Sequence, residues 1–353
     1  MGRLGRGKSG TTERAAAPGP LMQLASSFWA FKTLAAAVEL ELFTFLRDGR
    51  QATVKEVAEE LGIHGRPADM FLAACASLGL LEKEGDGYRN SAVAEELLVA
   101  GRPRFFGGYV RFLSHREYPA WHDLTTALRE NRPLTWDPEN QESIFSAEDP
   151  VMMELFWEAM HSLSTSTAQV LAGTYDFGGH RRLLDIGGGS GAFPLEVCAT
   201  YPGLSATVFD LPHVCPIAAE KIRQAGLDGA IDTVAGDFLA DEPLPAGHDV
   251  AVLSMILHDW DESTGRALLR KCWEALEPGG VVLVVEWLLN PERTGPPAAA
   301  LMGMNMIVET VGGQNYSEAE YADWLTDAGF REARVMRFDA MGANGAMVAR
   351  KPR

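Results

Sequence analysis

Cysteine is scarce in this chain of 353 residues. Cys75, Cys198, Cys215 and Cys272 are scattered, with no C-x-x-C and no Cys/His cluster at zinc spacing. That excludes a disulfide scaffold and a structural zinc module, and the thiols read as buried or free groups of a reducing, cytoplasmic compartment. Long apolar runs are missing as well: none approaches the roughly 20 residues that a membrane span needs. The N-terminal "MGRLGRGKSGTTERAAAPGP" has no apolar segment of a signal peptide; residues 1–20 are expected to be a disordered tail. Basic residues are outnumbered, 31 Lys and Arg against 48 Asp and Glu, for a net charge of -17. Phosphate backbones and anionic membranes repel such a chain, so neither is expected as a partner.

What is present is material for a core: 46% of residues are hydrophobic and 22% charged, enough for roughly two domains. Residues 21–100 read as helical and then briefly β. "FWAFKTLAAAVELELFTFLRDG" has helical spacing up to Gly49; "TVKEVAEELGI" and "ADMFLAACASLGLL" are two further helices; "LLEKEGDGYRNS" is a hairpin about Gly-Asp-Gly. Helix, turn, helix and wing make a winged-helix pattern, but the second helix is too apolar to read a DNA groove and suits a protein contact instead. Residues 101–165 are helical and aromatic-rich. In residues 166–353, apolar strands alternate with helices, which predicts an α/β domain with a Rossmann-like, doubly wound parallel sheet.

"LLDIGGGSG", Leu183 to Gly191, is a strand, a glycine turn and a helix start. Glycines let the backbone turn tightly and approach a ligand, and the helix start offers unpaired N–H groups. Asp185 ends that strand, where a nicotinamide fingerprint keeps the strand apolar. Asp210 ends the next one, where a carboxylate can accept two ribose hydroxyls. Asp237 and Phe238 follow the third, an arrangement suited to an adenine amino group and ring face.

The ordered set "LLDIGGGSGAF", "FDLPHV", "GDF", "LHDWDE", "EPGGVVLVVE" and "GGQNYSEAEYADWLTDAGF" resembles the small-molecule S-adenosylmethionine-dependent O-methyltransferases, caffeic-acid-type plant enzymes and their bacterial natural-product relatives, over residues 25–350. The resemblance implies that Gly187, Gly189, Asp210, Leu211, Asp237 and Phe238 contact S-adenosylmethionine, that Asp185 supports its methionine end, and that Ser254 replaces a lysine near it. It also implies an N-terminal domain that forms a homodimer and closes part of the acceptor pocket. Phe156, Met160, His161, Met304, Asn305 and Glu309 are then its pocket-lining residues.

In "LSMILHDWDEST", His258 follows the fourth strand at the edge where ligands of such sheets bind, and Glu286 ends the next strand. A carboxylate so placed can orient an imidazole and stabilise the imidazolium. The resemblance agrees, making His258 the general base and Glu286 its orienting carboxylate. Two departures from the family pattern matter. Asn315 stands where plant members have a second glutamate, and Glu309 brings a new carboxylate to the acceptor side. His258, Asp259 and Glu309 could therefore be ligands of a divalent or iron-type metal, with C-methylation of a 2-oxo acid as the activity. Arg111 and Arg116 could meet the carboxylate of such an acceptor. Asp259 or Asp261 could equally well cap the helix expected to run to Glu277. A third alternative is a regulator that kept the winged helix and lost the chemistry.

Overall fold

The computed structural model describes residues 18–140 and 150–353. Residues 1–17 of the expected tail lie outside the described residues, and Gly19 already opens the first helix, Gly19–Glu39. The single helix expected up to Gly49 breaks at Glu41, which adopts φ 56°, and resumes as Leu42–Phe45. A left-handed residue cannot continue a right-handed helix.

Helices Val54–Glu60 and Gly65–Ser77 follow, then the hairpin of β2 (Leu81–Glu84) and β3 (Gly87–Asn90). A short strand not expected from the pattern, β1 (Ala52–Thr53), completes a sheet in the order β1-β3-β2. Thr53 also closes a capping box with Glu56, so one residue ends the strand and starts the helix. Leu42, Phe43, Leu46, Val57, Leu72 and Tyr88 form the core of this unit. The first helix leaves Leu21, Met22, Leu24, Phe28 and Trp29 exposed, an apolar face not covered by the described residues.

The connecting region contains an irregularity. The helix Gly107–Phe112 widens into a π-helical turn, Leu113–Glu117, before Tyr118–Trp121. Pro119 has no N–H to return to the preceding turn, which explains why regular α pairing fails there. The long helix Pro150–Thr174 then leads into the second domain.

That domain holds a seven-stranded sheet of β4 (Arg182–Ile186), β5 (Ser205–Asp210), β6 (Ile231–Ala235), β7 (His248–Ser254), β8 (Leu276–Glu286), β9 (Arg331–Arg337) and β10 (Gly345–Arg350), in the order β6-β5-β4-β7-β8-β10-β9. Strands β4 to β8 pair in parallel, and β10 is antiparallel to both of its neighbours. The central strands β4, β7 and β8 are largely apolar because both of their faces are covered, whereas the edge strands β6 and β9 are mostly exposed. Leu183, Val250, Val252, Leu283 and Val285 enter one core; Leu184, Ala251, Leu253, Val282 and Val284 enter the other. Chain order reverses on either side of β4, which opens a crevice at the C-terminal ends of β4, β5 and β7.

Two element ends differ from expectation. The helix Glu262–Ala275 stops short of Glu277 and passes directly into β8. β7 stops at Ser254 because Met255 takes φ 57°, turning the chain into a 3-10 turn, Leu257–Asp259. A left-handed methionine is strained and is held only by its surroundings; here Met255 N–H donates to Val285 O at 3.0 Å.

Gly313 presses against that turn. A Cβ there would sit 2.4 Å from His258 O and 2.5 Å from Thr310 Oγ1. Gly313→Ala is expected to cost about 1–3 kcal/mol by overpacking. A lowered thermal midpoint would be the observed result.

Candidate active site

The glycine loop after β4 is shaped for close approach. Gly187 and Gly189 have φ 67° and 56°. A Cβ on Gly187 would meet Ile256 Cδ1 at 2.5 Å, and one on Gly188 would meet Asp185 Oδ2 at 2.4 Å, so a side chain at either position would have to displace its neighbour, and at Gly187 the left-handed backbone adds strain. Asp210 braces the loop from β5: its Oδ2 accepts from Gly189 N–H at 2.7 Å and its Oδ1 from Leu211 N–H at 2.6 Å. Asp185 is buried beneath, and its Oδ2 has no hydrogen-bond partner among the described residues. Burial, and then the charge of Asp210, push its carboxyl up to about 8.

Asp237 is exposed at the end of β6 and accepts from Leu239 N–H at 2.8 Å. Phe238 beside it is half-buried and stands edge-on to Trp260, with ring centroids 5.8 Å apart. The Ser254 hydroxyl, at the end of β7, is buried without a hydrogen-bond partner among the described residues.

His258 is buried in the 3-10 turn after β7. Its Nδ1 lies 2.6 Å from Glu286 Oε2, so the Nδ1–H donates to that carboxylate. The other oxygen, Glu286 Oε1, accepts from the Ile256 and Leu257 N–H groups at 3.1 and 3.0 Å. One buried carboxylate thus fixes both the backbone of the turn and the ring that it carries. Nε2 faces Asp259 Oδ1 at 3.4 Å. Burial alone would push the imidazole down; the carboxylates of Glu286 and Asp259 outweigh it and raise it to about 9. Asp259 is itself raised to about 6, by burial and despite the imidazolium. Helix capping belongs to the other candidate, Asp261, whose Oδ1 accepts from Thr264 N–H at 2.8 Å.

A wall of aromatic side chains connects the two halves of the site. Trp157 lies 3.2 Å from a Cβ position on Gly189; Phe156 packs edge-on against Trp157 and Phe112; the Arg116 guanidinium sits 5.5 Å from the Phe112 ring centroid. Arg116 pairs with Glu309, whose charge is felt by Asp259, which returns the path to His258. Met160 and Met304 are half-buried. Asn305 Oδ1 accepts from Trp121 Nε1–H at 2.7 Å. His161 stands against the glycine loop, its Nδ1 2.7 Å from Ser190 Oγ, and burial pushes it down to about 4. Trp157 and Ser190 were not singled out in the sequence. Only the helical spacing of Trp157 and His161, one turn apart, links them to the loop.

The expected metal set is not assembled. Glu309 is held by Arg116 instead of joining His258 and Asp259, and among the described residues no group of three His, Cys, Asp or Glu could hold a metal ion. Asn315 does not take up the role of a second carboxylate on His258: its amide donates to Trp287 O at 2.8 Å. A separate polar cleft of about 950 Å³, lined among others by Tyr175, His180, Asp249 and Arg350, opens at the opposite edge of the sheet.

Comparison with known proteins bears on this geometry. Residues 22–100 match the model of an O-methyltransferase dimerisation domain, and residues 121–331 that of an O-methyltransferase domain. The chain belongs to the O-methyltransferase family. It is 48% identical over 343 residues, 97% of this chain and 98% of the relative, to a 3-hydroxy-5-methyl-1-naphthoate 3-O-methyltransferase of Streptomyces sahachiroi. It is 35% identical, over 95% of this chain and 97% of the relative, to the tetracenomycin polyketide synthesis 8-O-methyl transferase TcmO of Streptomyces glaucescens. Human N-acetylserotonin methyltransferase in complex with S-adenosylmethionine superposes with a TM-score of 0.84 at 29% identity, over 98% of this chain and 100% of that one.

The protein is an S-adenosylmethionine-dependent methyltransferase, and its residues fit that molecule. In the glycine cradle a Cβ at Gly187 or Gly188 would press on Ile256 or Asp185. The orphaned carboxyl of Asp185 suits the ammonium of a methionine moiety, and Asp210 lies where the family pattern puts ribose hydroxyls. In the ligand-free protein, Asp185 takes up a proton on folding between its ordinary range and about 8, so stability falls as pH rises through that window. Asp185→Asn removes this dependence. Its thermal midpoint should exceed that of the unaltered protein by a margin that widens from pH 5 to 9, while calorimetry shows weaker S-adenosylmethionine binding.

Proposed function

We propose that this enzyme methylates a phenolic hydroxyl of a fused-ring aromatic natural-product intermediate, with His258 as general base. The observation that carries the reading is the Glu286–His258 pair, which holds Nδ1 and leaves Nε2 as the proton-accepting atom. The acceptor class is supported by the naphthoate and tetracenomycin relatives, both named as O-methyltransferases. The aromatic wall of Phe112, Phe156 and Trp157 matches a flat ring system. We assign the protein to the cytoplasm: no helix among the described residues is long and apolar enough to cross a membrane. It acts as a homodimer through the exposed face of the Gly19–Glu39 helix, which lies in the dimerisation domain.

The bound sulfonium supplies an already activated methyl group, so the protein's work is alignment and deprotonation. The hydroxyl gives its proton to His258 Nε2. Glu286, already fixed by two backbone N–H groups, stabilises the resulting imidazolium without turning. Asp259, 3.4 Å from Nε2, adds a second negative charge on the side where the new N–H points. Gly187, Gly189, Asp210 and Leu211, with Asp185, Asp237, Phe238 and Ser254, would hold the methyl donor.

Because burial and the two carboxylates leave His258 at about 9 in the free enzyme, kcat/KM should rise tenfold per pH unit up to about 9. The break in kcat should come at lower pH, since a bound cation disfavours a second one. His258→Ala should lower kcat by roughly 10²–10⁴ with the dissociation constant of S-adenosylmethionine unchanged in calorimetry. Loss of cofactor binding with turnover per bound enzyme intact would refute the assignment. Glu286→Gln should cost less turnover but also lower the thermal midpoint, because it disturbs the turn.

A further inference from the structure

Most charge buried away from His258 is settled by its neighbours. Arg116 is shared by the carboxylates of Glu117 and Glu309, and burial and the facing Glu309 raise the Glu117 carboxyl to about 9, so that it holds a proton. Lys271 is spent differently. It lies half-buried on the helix Glu262–Ala275. Its helix neighbours Arg266 and Arg270 pair with Asp323 and Asp327. Lys271 takes backbone oxygens instead, although Asp241 and Glu242 bring carboxylates to the loop that it meets. Its Nζ donates to Phe238 O at 3.0 Å, to Glu242 O at 3.1 Å and to Ala240 O. An ammonium has three N–H donors, so all of them go to one loop.

That loop joins β6 to β7. Residues 236–247 contain neither helix nor strand, so their carbonyls lack the partners that regular structure provides. One backbone bond closes within the loop, from Ala240 N–H to Asp237 O at 3.1 Å. Phe238, Ala240 and Glu242 alternate along the chain, and their carbonyls make no other hydrogen bond among the described residues. A single ammonium thus gathers the loop from within, as a bound cation would. Connections of this length without regular pairing are otherwise the mobile parts of a protein.

The loop opens with Asp237 and Phe238, the residues suited to an adenine amino group and ring face. Asp237 Oδ1 accepts from Leu239 N–H at 2.8 Å, which leaves Oδ2 uncommitted. Phe238 reaches the glycine cradle, its Cε1 lying 3.5 Å from a Cβ position on Gly187. Holding the carbonyls of Phe238 and Ala240 therefore fixes the turn that aims both side chains at the crevice.

We propose that Lys271 is a positioning residue of the cofactor site, whose ammonium holds the Asp237–Phe238 turn in the shape that recognises the adenine 6-amino group. Its donors are all spent on the loop, so it acts through Asp237 and Phe238. The proposal rests on the placement of adenine at those two residues.

The test measures, by calorimetry on the purified full chain, the dissociation constants of S-adenosylhomocysteine and of its purine analogue, in which hydrogen replaces the 6-amino group. The unaltered protein should prefer the amino compound by about tenfold or more, the scale of one hydrogen bond to a charged group. Lys271→Met keeps the apolar stem and removes all three donors. It should bring the preference to within about threefold, mainly by weakening the amino compound, because fewer molecules then carry the competent turn. Lys271→Arg keeps the charge, but a planar fork does not match three carbonyls, so its preference should fall between the two. Should Lys271→Met not fold, the reduced preference must appear in Lys271→Arg. A lysine that only supports the fold gives another pattern: a lower thermal midpoint and fewer binding sites per chain, with the preference intact in the molecules that bind. That pattern, or an undiminished preference in the variants, overturns the proposal. The adenine placement itself fails differently, when the unaltered protein binds both compounds equally well, and the proposal then falls with it.

Discussion

The catalytic half of this molecule depends on where the carboxylate of Glu286 is held. It ends the long strand β8, whose last seven residues are all buried, and one of its oxygens accepts two backbone N–H groups while the other accepts the imidazole. Buried charges are costly unless every lone pair is used. Here the expense is offset by three donors, two of which are backbone groups that would otherwise be orphaned where the chain leaves β7. The left-handed Met255, the 3-10 turn and the ring orientation are one arrangement, because removing the carboxylate would unsatisfy all of them together. On the proposed reading, the arrangement also decides which nitrogen takes the proton. With Nδ1 committed, only Nε2 remains for an acceptor proton.

Much of this was legible in the sequence. Apolar strands alternating with helices can be read because both faces of the sheet are covered, which leaves a strong pattern in Leu183–Ile186 and Val281–Val285. The glycine run and the carboxylates at three successive strand ends, Asp185, Asp210 and Asp237, are local signals of one crevice. The pairing of His258 with Glu286 follows from their being at the ends of adjacent parallel strands. Less legible was anything that depended on side-chain direction. Glu309 could be placed on the acceptor side by its helix, but whether it turned to His258 or to Arg116 depends on the π turn. That turn comes from a missing N–H at Pro119 and has no periodic signature. His161, expected among the acceptor contacts, stands against Ser190 for the same reason: helical spacing gives a face, and the neighbour on that face comes from another part of the chain.

The charges form two separate systems. Around His258, two carboxylates keep an imidazolium comfortable in the resting protein, so proton loss there is linked to acceptor and donor arriving. Around Arg116, two carboxylates share one cation, and a proton is retained between them. Both are buried, so each is screened little by salt, and the Asp259–Glu309 interaction joins them. Charge introduced at one would be felt at the other, which gives a physical reason for an acceptor pocket and a base to change together within a family whose members methylate different molecules.

The last strand of the sheet has a temporal consequence. β10 lies between β8 and β9, placing Gly345 opposite Glu286, while Asn344 N–H donates to Glu286 O at 3.3 Å and Asn344 Oδ1 accepts from Leu288 N–H at 2.8 Å. The backbone that carries the orienting carboxylate is therefore fastened by residues synthesised long after His258. A ribosome that has released β4 through β7 has released every strand bordering the glycine crevice, but the base is still unfinished. On the proposed reading, the cofactor crevice and the base are thus completed at different moments in the life of each nascent chain, and the base is the later of the two.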